Sequence, residues 1–254
     1  MGKVKQNEMY VVKANDLIRK TRYNLTTLEQ KLILYCISKI QPTDRINVWY
    51  EVSIPEICRV LDLKLDDGGT YYKLLKDEFT KLTERKWCTM PDRVMTISWL
   101  GDVAIVPLDS TVKFTLNPNM QPYLFELQRN YTQYKLKDVL GFKGKYTIRL
   151  YELLQSYMRK DIDGIALRNQ QPYEVTIKEL RDMLGIGDKY QAYKEFKRWV
   201  LQPAVDEINE KAETMSVTYD VVRANKAGSK IERIVFEIDQ PAVYQTRKAG
   251  RASK

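Results

Sequence analysis

The stretch from Tyr190 to Gln202 holds the side chains best suited to chemistry, and that chemistry is recognition. Tyr193, Phe196 and Val200 recur at a helical period and define an inward face. Gln191, Lys194 and Arg198 fall at i, i+3 and i+7 on the opposite side, with Gln202 extending the row and Lys197 flanking it. An arginine can fork onto O6 and N7 of guanine, a glutamine can pair with adenine, and a lysine reaches phosphate or guanine. Neither Asp nor Glu stands among Gln191, Lys194, Lys197 and Arg198. A solvated helix face carries the same residue types. What favours base readout is the position of this helix in a larger arrangement, set out below.

Other chemistries lack their groups. The chain has no histidine, which removes the usual general base and the usual zinc ligand. Its three cysteines, Cys36, Cys58 and Cys88, are far apart and fit neither a zinc site nor a disulfide framework. Gly141-Phe142-Lys143-Gly144-Lys145 is too short for a phosphate-binding loop and is followed by no Ser or Thr. Seventeen tyrosines offer nucleophiles for strand nicking, but that reaction also needs a metal held by histidines. We therefore expect no catalytic residues, no metal and no cofactor, and a protein that is not an enzyme.

The formal net charge is +9, and its placement matters more than its size. Lys3, Lys5, Lys13, Arg19, Lys20 and Arg22 outweigh Glu8 and Asp16 at the start, and Arg247, Lys248, Arg251 and Lys254 face no acid at the end. The body between is close to neutral, so a nucleic-acid reading must rest on local patches. Three further patches exist. Lys226, Lys230 and Arg233 surround a hairpin tip at Asn225-Lys-Ala-Gly-Ser229 and suit backbone phosphates. Lys143, Lys145 and Arg149 belong to a basic run that also includes Lys135, Lys137, Arg159 and Lys160, and suit phosphate clamping. Lys73, Lys76 and Thr80 line the outer face of an earlier helix, but Asp77 and Glu84 share that face and weaken it.

The elements that must position these residues occur twice. Val52-Ser-Ile-Pro-Glu-Ile-Cys-Arg-Val-Leu-Asp-Leu63 and Val175-Thr-Ile-Lys-Glu-Leu-Arg-Asp-Met-Leu-Gly-Ile186 share Val, Ile, Glu and Leu in register. Ser53 with Glu56, and Thr176 with Glu179, each predict a capping box at the start of a short helix. Gly185 predicts the end of the second helix, and Asp62 stands at that place in the first. A turn and a longer helix follow each time: Thr70 to Lys86 after Asp66-Asp67-Gly68-Gly69, and from Tyr190 after Asp188-Lys189. Strands come next: 95–100 and 112–116 in the first copy, 216–222 and 231–238 in the second. Pro203 predicts a helix break at Leu201–Gln202. Short helix, turn, longer helix and hairpin make a winged helix. An amphipathic helix precedes each copy, through Leu28, Leu32 and Tyr35 after a Thr26/Glu29 capping box, and through Ile148, Tyr151, Leu154 and Met158.

The expected fold class is α+β, a tandem duplication of a winged-helix domain. Residues 1–24 are expected as a basic, partly flexible segment, 25–130 as the first domain, 131–239 as the second and 240–254 as a basic flexible tail. With 44% hydrophobic residues the chain can build cores, and no apolar run approaches a membrane span. The start lacks an apolar signal core, so a cytoplasmic location with no membrane partner is expected.

The phrases Tyr146-Thr-Ile-Arg-Leu-Tyr-Glu-Leu-Leu154, Phe196-Lys-Arg-Trp-Val-Leu-Gln-Pro-Ala-Val-Asp-Glu-Ile-Asn209 and Leu25-Thr-Thr-Leu-Glu-Gln-Lys-Leu32 resemble those of the iteron-binding plasmid replication initiators, over roughly Val11 to Ile238. That resemblance implies a non-enzymatic protein that binds direct repeats of double-stranded origin DNA as a monomer. It also implies that the protein promotes duplex opening and recruits the host initiator and helicase machinery. As a homodimer, in equilibrium with monomer, such a protein binds an inverted repeat and represses its own gene. The resemblance further implies a first domain for dimerisation and weaker DNA contact and a second that reads DNA through Gln191, Lys194, Lys197 and Arg198. Gly144-Lys145 before Tyr146 departs from the family's usual Ser-Lys-Tyr. A winged-helix transcription regulator without an initiation role is the alternative.

Overall fold

The computed structural model describes residues 9–41, 43–45, 47–63, 70–89, 96–106, 109–158, 170–224 and 230–239. The chain forms two compact units, Met1–Leu140 and Gly141–Lys254.

The first unit opens on strand β1 (Tyr10–Ala14), helix α1 (Asn15–Arg19), strand β2 (Thr21–Arg22) and helix α2 (Thr27–Ile37). Strand β1 pairs antiparallel with β8 (Tyr131–Lys135), with Val12 opposite Gln133. This pairing corrects two expectations. Residues 10–22, expected in a partly flexible segment, form elements of the first unit, with Val11, Leu17 and Ile18 buried. The division between units falls after Leu140 rather than after 130, because β8 and the helix α6 (Leu136–Leu140) complete the first unit. A strand's partner from the far end of a domain leaves no local mark in sequence.

The body of the first unit runs β3 (Tyr50–Ser53), α3 (Ile54–Val60), α4 (Thr70–Glu84), β4 (Lys86–Thr89), β5 (Thr96–Ser98), β6 (Leu100–Val106) and β7 (Thr111–Leu116). A 3-10 turn (Pro118–Met120) and helix α5 (Gln121–Leu124) follow. Two sheets result, ordered β3-β7-β6 and β2-β4-β5. The expected hairpin is therefore half correct. Residues 112–116 lie in β7, but the partner is β6, while Thr96–Ser98 pairs with β4 in the other sheet. Trp87 and Trp99 lie buried along that second sheet, each meeting a tyrosine ring edge-on: Tyr123 at 5.3 Å and Tyr23 at 4.8 Å.

The second unit runs α7 (Lys145–Tyr157), β9 (Tyr173–Thr176), α8 (Ile177–Met183), α9 (Tyr193–Phe196), a π turn (Lys197–Leu201), α10 (Gln202–Lys211), β10 (Ser216–Arg223) and β11 (Ile231–Asp239). Its sheet order, β9-β11-β10, reproduces β3-β7-β6 element for element. The duplication read from sequence is thus a duplication of topology, and the fold is two winged helices.

Local signals explain the repeated part. Thr26 with Glu29, and Thr176 with Glu179, form reciprocal capping boxes. At Ser53 only half of the expected box forms. The hydroxyl accepts from the Glu56 amide at 3.1 Å, but Glu56 Oε1 turns away to accept from Tyr35 Oη at 2.9 Å and Lys39 Nζ at 2.7 Å. Both short helices end alike. Asp62 (φ 54°) and Gly185 (φ 65°) take the left-handed conformation. The next amides, of Leu63 and Ile186, reach back to the carbonyls of Cys58 (2.8 Å) and Arg181 (3.1 Å).

Pro203 does not break the long helix of the second unit. The Gln202 amide bonds the Lys197 carbonyl in a π turn, and α9 runs on into α10. The extra residue in that turn is the kind of local adjustment that lets a helix carry a proline within it.

Candidate nucleic-acid interface

The turn before the long helix of the second unit is organised by one side chain. Arg181, on α8, donates from Nη1 to the Tyr190 carbonyl and from Nη2 to the carbonyls of Gly187 (2.9 Å) and Lys189 (2.5 Å). Its guanidinium also lies 5.9 Å from the centre of the Phe196 ring. Within this turn Gly187 (φ 65°) and Tyr190 (φ 53°) are both left-handed. The helix therefore starts at Tyr193, later than expected, with Ala192 as its N-cap. Gln191 consequently sits in the turn, where its Nε2 donates to the Asp188 carbonyl at 3.0 Å, and does not extend a helical row.

Lys194, Lys197 and Arg198 all stand on the exposed surface of the helix. Phe196, Val200 and Leu201 are buried beneath them, while Tyr193, expected in the core, is half-buried. Gln202 turns sideways, donating to Asp206 Oδ1 at 2.8 Å and accepting from Tyr219 Oη at 2.7 Å. Burial, then the neighbouring Tyr193 and Asp206, push the Tyr219 phenol up to about 12, so it remains a donor. Two exposed residues on this surface escaped the sequence reading: Glu195, and Trp199, which is 55% exposed with the Arg198 guanidinium 4.8 Å above its ring. Lys197 also lines a groove between the helix and β10, together with Tyr193, Tyr219 and Arg223. Arg223 is a third omission. Its signal in sequence is only a cation ending a strand beside the hairpin tip.

The wing is described on its two strands and at Lys230. Lys230 is exposed. Lys226 and the tip at 225–229 lie outside the described residues, as do Arg159, Lys160, the turn at 66–69, residues 1–8 and the tail at 240–254. Arg233 lies on the central strand β11, where its half-exposed side chain pairs through Nη1 with Glu174 Oε2 at 2.9 Å.

The cluster at the start of α7 needs a correction. Arg149 is 4% exposed, with Nη2 on the Met183 carbonyl at 2.8 Å and Nη1 3.8 Å from Glu152. It is a structural cation joining α7 to α8 and does not meet a phosphate. Lys143 is exposed and Lys145 half-buried, the latter with its ammonium 4.9 Å from the Tyr146 ring centre. The backbone N–H groups of Lys143 (2.6 Å) and Gly144 (3.0 Å) are occupied by the Glu207 carboxylate and so do not serve an external anion. Burial would raise the Glu207 pKa, but Lys211, the Lys143 amide, the Thr147 hydroxyl and the Gly144 amide outweigh it and hold the carboxyl below its ordinary value. Glu207 thus caps α7 from α10, which accounts for Gly144 at a place where a local hydroxyl is the usual cap. A side chain at Gly144 would collide with Thr147 Oγ1.

On the first unit, Lys73, Lys76 and Thr80 are exposed along α4, and so are Asp77 and Glu84. Leu75, Phe79 and Leu82 form its inner face, as expected. Lys76, Thr80 and Thr83 line a groove against Asp102 and Val103 of β6, the counterpart of the groove between the long helix and β10. Lys73, Asp77 and Glu84 are all exposed, so the mixed charge read from sequence persists on the surface of α4.

Among the described residues, no group of three or more His, Cys, Asp or Glu residues is placed to hold a metal ion, and no helix is long and apolar enough to cross a membrane.

Comparison with known proteins agrees with this architecture. Residues 10–155 match the family model described as Initiator Replication protein, WH1, and residues 176–238 match that described as Initiator Rep protein, WH2. A replication initiation protein of Escherichia coli is 24% identical over 241 residues, covering 92% of this chain and 70% of that protein. The crystal structure of Pi initiator protein in complex with iteron DNA superposes with a TM-score of 0.70 at 18% identity, covering 93% of this chain and 99% of that one. At that identity the likeness is one of fold. The chain therefore belongs to the initiator replication protein family, with a WH1 and a WH2 winged helix in tandem.

Proposed function

We propose that this protein initiates plasmid replication by binding repeated double-stranded sites at an origin, with the second unit as the main reader. The observation that carries the reading is the exposed cluster Lys194, Lys197 and Arg198 on the helix that follows the Arg181-organised turn. In a winged helix that element enters the major groove, where arginine reads guanine and lysine reaches phosphate or guanine. The Pi initiator, which shares this fold, was crystallised in complex with iteron DNA, and this supports the choice of repeated sites.

The finer roles form part of the same proposal. Lys143, Lys145 and Lys230 contact phosphates, while α4 of the first unit adds weaker contact through Lys73, Lys76 and Thr80. The first unit also pairs two copies into a homodimer that represses its own gene, and the monomer opens the origin and recruits the host initiator and helicase. The protein acts in the cytoplasm without catalysis of its own.

Electrophoretic shift and footprinting on the DNA flanking the protein's own gene test this. Protection should fall on direct repeats, with affinity dropping steeply as salt rises. Arg198→Ala should lose at least about tenfold in affinity for the repeat and lose discrimination at one guanine. Equal affinity for scrambled DNA at matched salt overturns the proposal.

A further inference from the structure

We infer that Trp199 is a base-reading residue, which holds the Arg198 guanidinium in place and meets the methyl group of a thymine beside the guanine that Arg198 reads. The inference rests on the proposed entry of this helix into the major groove.

Three observations lead to it. Trp199 is 55% exposed, the most exposed of the large hydrophobic side chains on the described surface. It lies inside the π turn, next to Arg198 and one helical turn beyond Glu195, and is exposed as both of them are. The Arg198 guanidinium sits 4.8 Å from its ring centre, within cation–π range.

An exposed indole leaves a large apolar surface in water, and nothing in the core explains it: Phe196, Val200 and Leu201 fill the inner face of this segment. A guanidinium stacked on an indole loses much of its rotational freedom before binding, so less is lost when it forks onto guanine. The apolar group that the major groove offers an indole is the thymine C5-methyl. A cation and an aromatic on consecutive residues therefore match a guanine next to a thymine. Glu195, one turn earlier on the same side, disfavours a phosphate there and is compatible with the amino group of a cytosine.

The test replaces single thymines of the repeat with deoxyuridine, which removes the methyl alone, and single guanines with 7-deazaguanine, which removes N7. Affinities are measured for the full-length wild type, Trp199→Ala, Trp199→Phe and Arg198→Ala. In the wild type, one deoxyuridine position should weaken binding about fourfold, the worth of one methyl group removed from water. Trp199→Ala should bind the unmodified repeat more weakly and show no further loss at that position, while Trp199→Phe should retain part of the loss. The 7-deazaguanine loss, abolished in Arg198→Ala, should lie at the neighbouring base. If Arg198→Ala loses the guanine effect but every deoxyuridine position weakens Trp199→Ala and wild type equally, the inference on Trp199 is overturned and the helix reading stands. If no 7-deazaguanine position weakens the wild type, and Arg198→Ala and Lys194→Ala both bind as the wild type does, the helix reading itself fails.

Discussion

Arg181 Nη1 donates to the carbonyl of Tyr190, and through that bond a side chain on α8 sets the turn from which the exposed helix departs. The same guanidinium serves Gly187 and Lys189, so three carbonyls of the turn share one donor group. Arg181→Lys keeps the charge but replaces a rigid, planar fork with a compact ammonium on a flexible stem, which cannot span the three carbonyls in the same fixed geometry. We expect a stability loss of about 1–2 kcal/mol in urea unfolding. The affinity for specific DNA should fall further than that loss accounts for, because the helix entry is no longer fixed. A variant that unfolds at lower urea yet binds specific DNA unchanged would show that the turn does not set the reader.

The Glu207 cap makes a pH prediction. Its folded pKa lies below the ordinary 4.5, so the bonds to Lys143, Gly144 and Lys211 contribute fully above that value and are lost as pH falls through the depressed folded pKa. Glu29 and Glu179, also held low, add in the same direction. Burial works against Glu29, but the Thr26 amide and Arg85 outweigh it. Glu179 is lowered by the hydroxyl and the amide of Thr176. Urea midpoints should be flat from neutral pH down to about pH 5 and fall below that. Glu207→Gln should cost about 1–3 kcal/mol at neutral pH and less at about pH 3. An equal cost at both pH values would mean that the ionised carboxylate is not what caps α7.

What could be read from sequence divides along a physical line. Capping residues, left-handed positions and the core of α4 depend on neighbours within one or two turns, and Thr26/Glu29, Thr176/Glu179, Gly185, Leu75 and Phe79 stand where the sequence puts them. Pairings across the chain, β1 with β8 and β2 with β4, carry no local signature and emerge only in the structure. Arg149, Glu152 and Gln155 follow one another at helical spacing and look like a solvated stripe, yet all three are buried in a helix covered on every side from Thr147 to Ser156. The long helix starts at Tyr193 and not at Tyr190 because Arg181 holds the turn open, and this takes Gln191 out of the exposed row.

Arg149 and Lys145 should now behave as opposites, although they lie four residues apart in one basic run. Arg149→Ala removes a buried cation from Glu152 and from the Met183 carbonyl. It should cost about 3 kcal/mol or more in stability and leave the salt dependence of DNA binding unchanged in the folded fraction. Lys145→Ala should cost little in stability and lower the slope of log affinity against log salt by about one. Measuring both on one protein preparation separates the roles. A reduced salt slope for Arg149→Ala would return that residue to the phosphate-contacting set.

The paired helix ends give a last prediction about the duplication itself. Asp62 and Gly185 occupy equivalent places with φ of 54° and 65°, but only glycine takes this conformation at little steric cost. Asp62→Gly relieves a side chain from the left-handed region, although it also loosens the unfolded chain, so the net effect should be within about 0.5 kcal/mol of neutral. Gly185→Ala forces a Cβ into the same region at the end of α8 and should cost about 1 kcal/mol. The second substitution also acts two residues before Gly187, whose carbonyl Arg181 holds, so its effect on DNA affinity should exceed its effect on stability. Thermal unfolding and binding curves for the two variants check this. A larger penalty for Asp62→Gly than for Gly185→Ala would mean that the Asp62 carboxylate, and not the backbone geometry shared by the two copies, stabilises the end of α3.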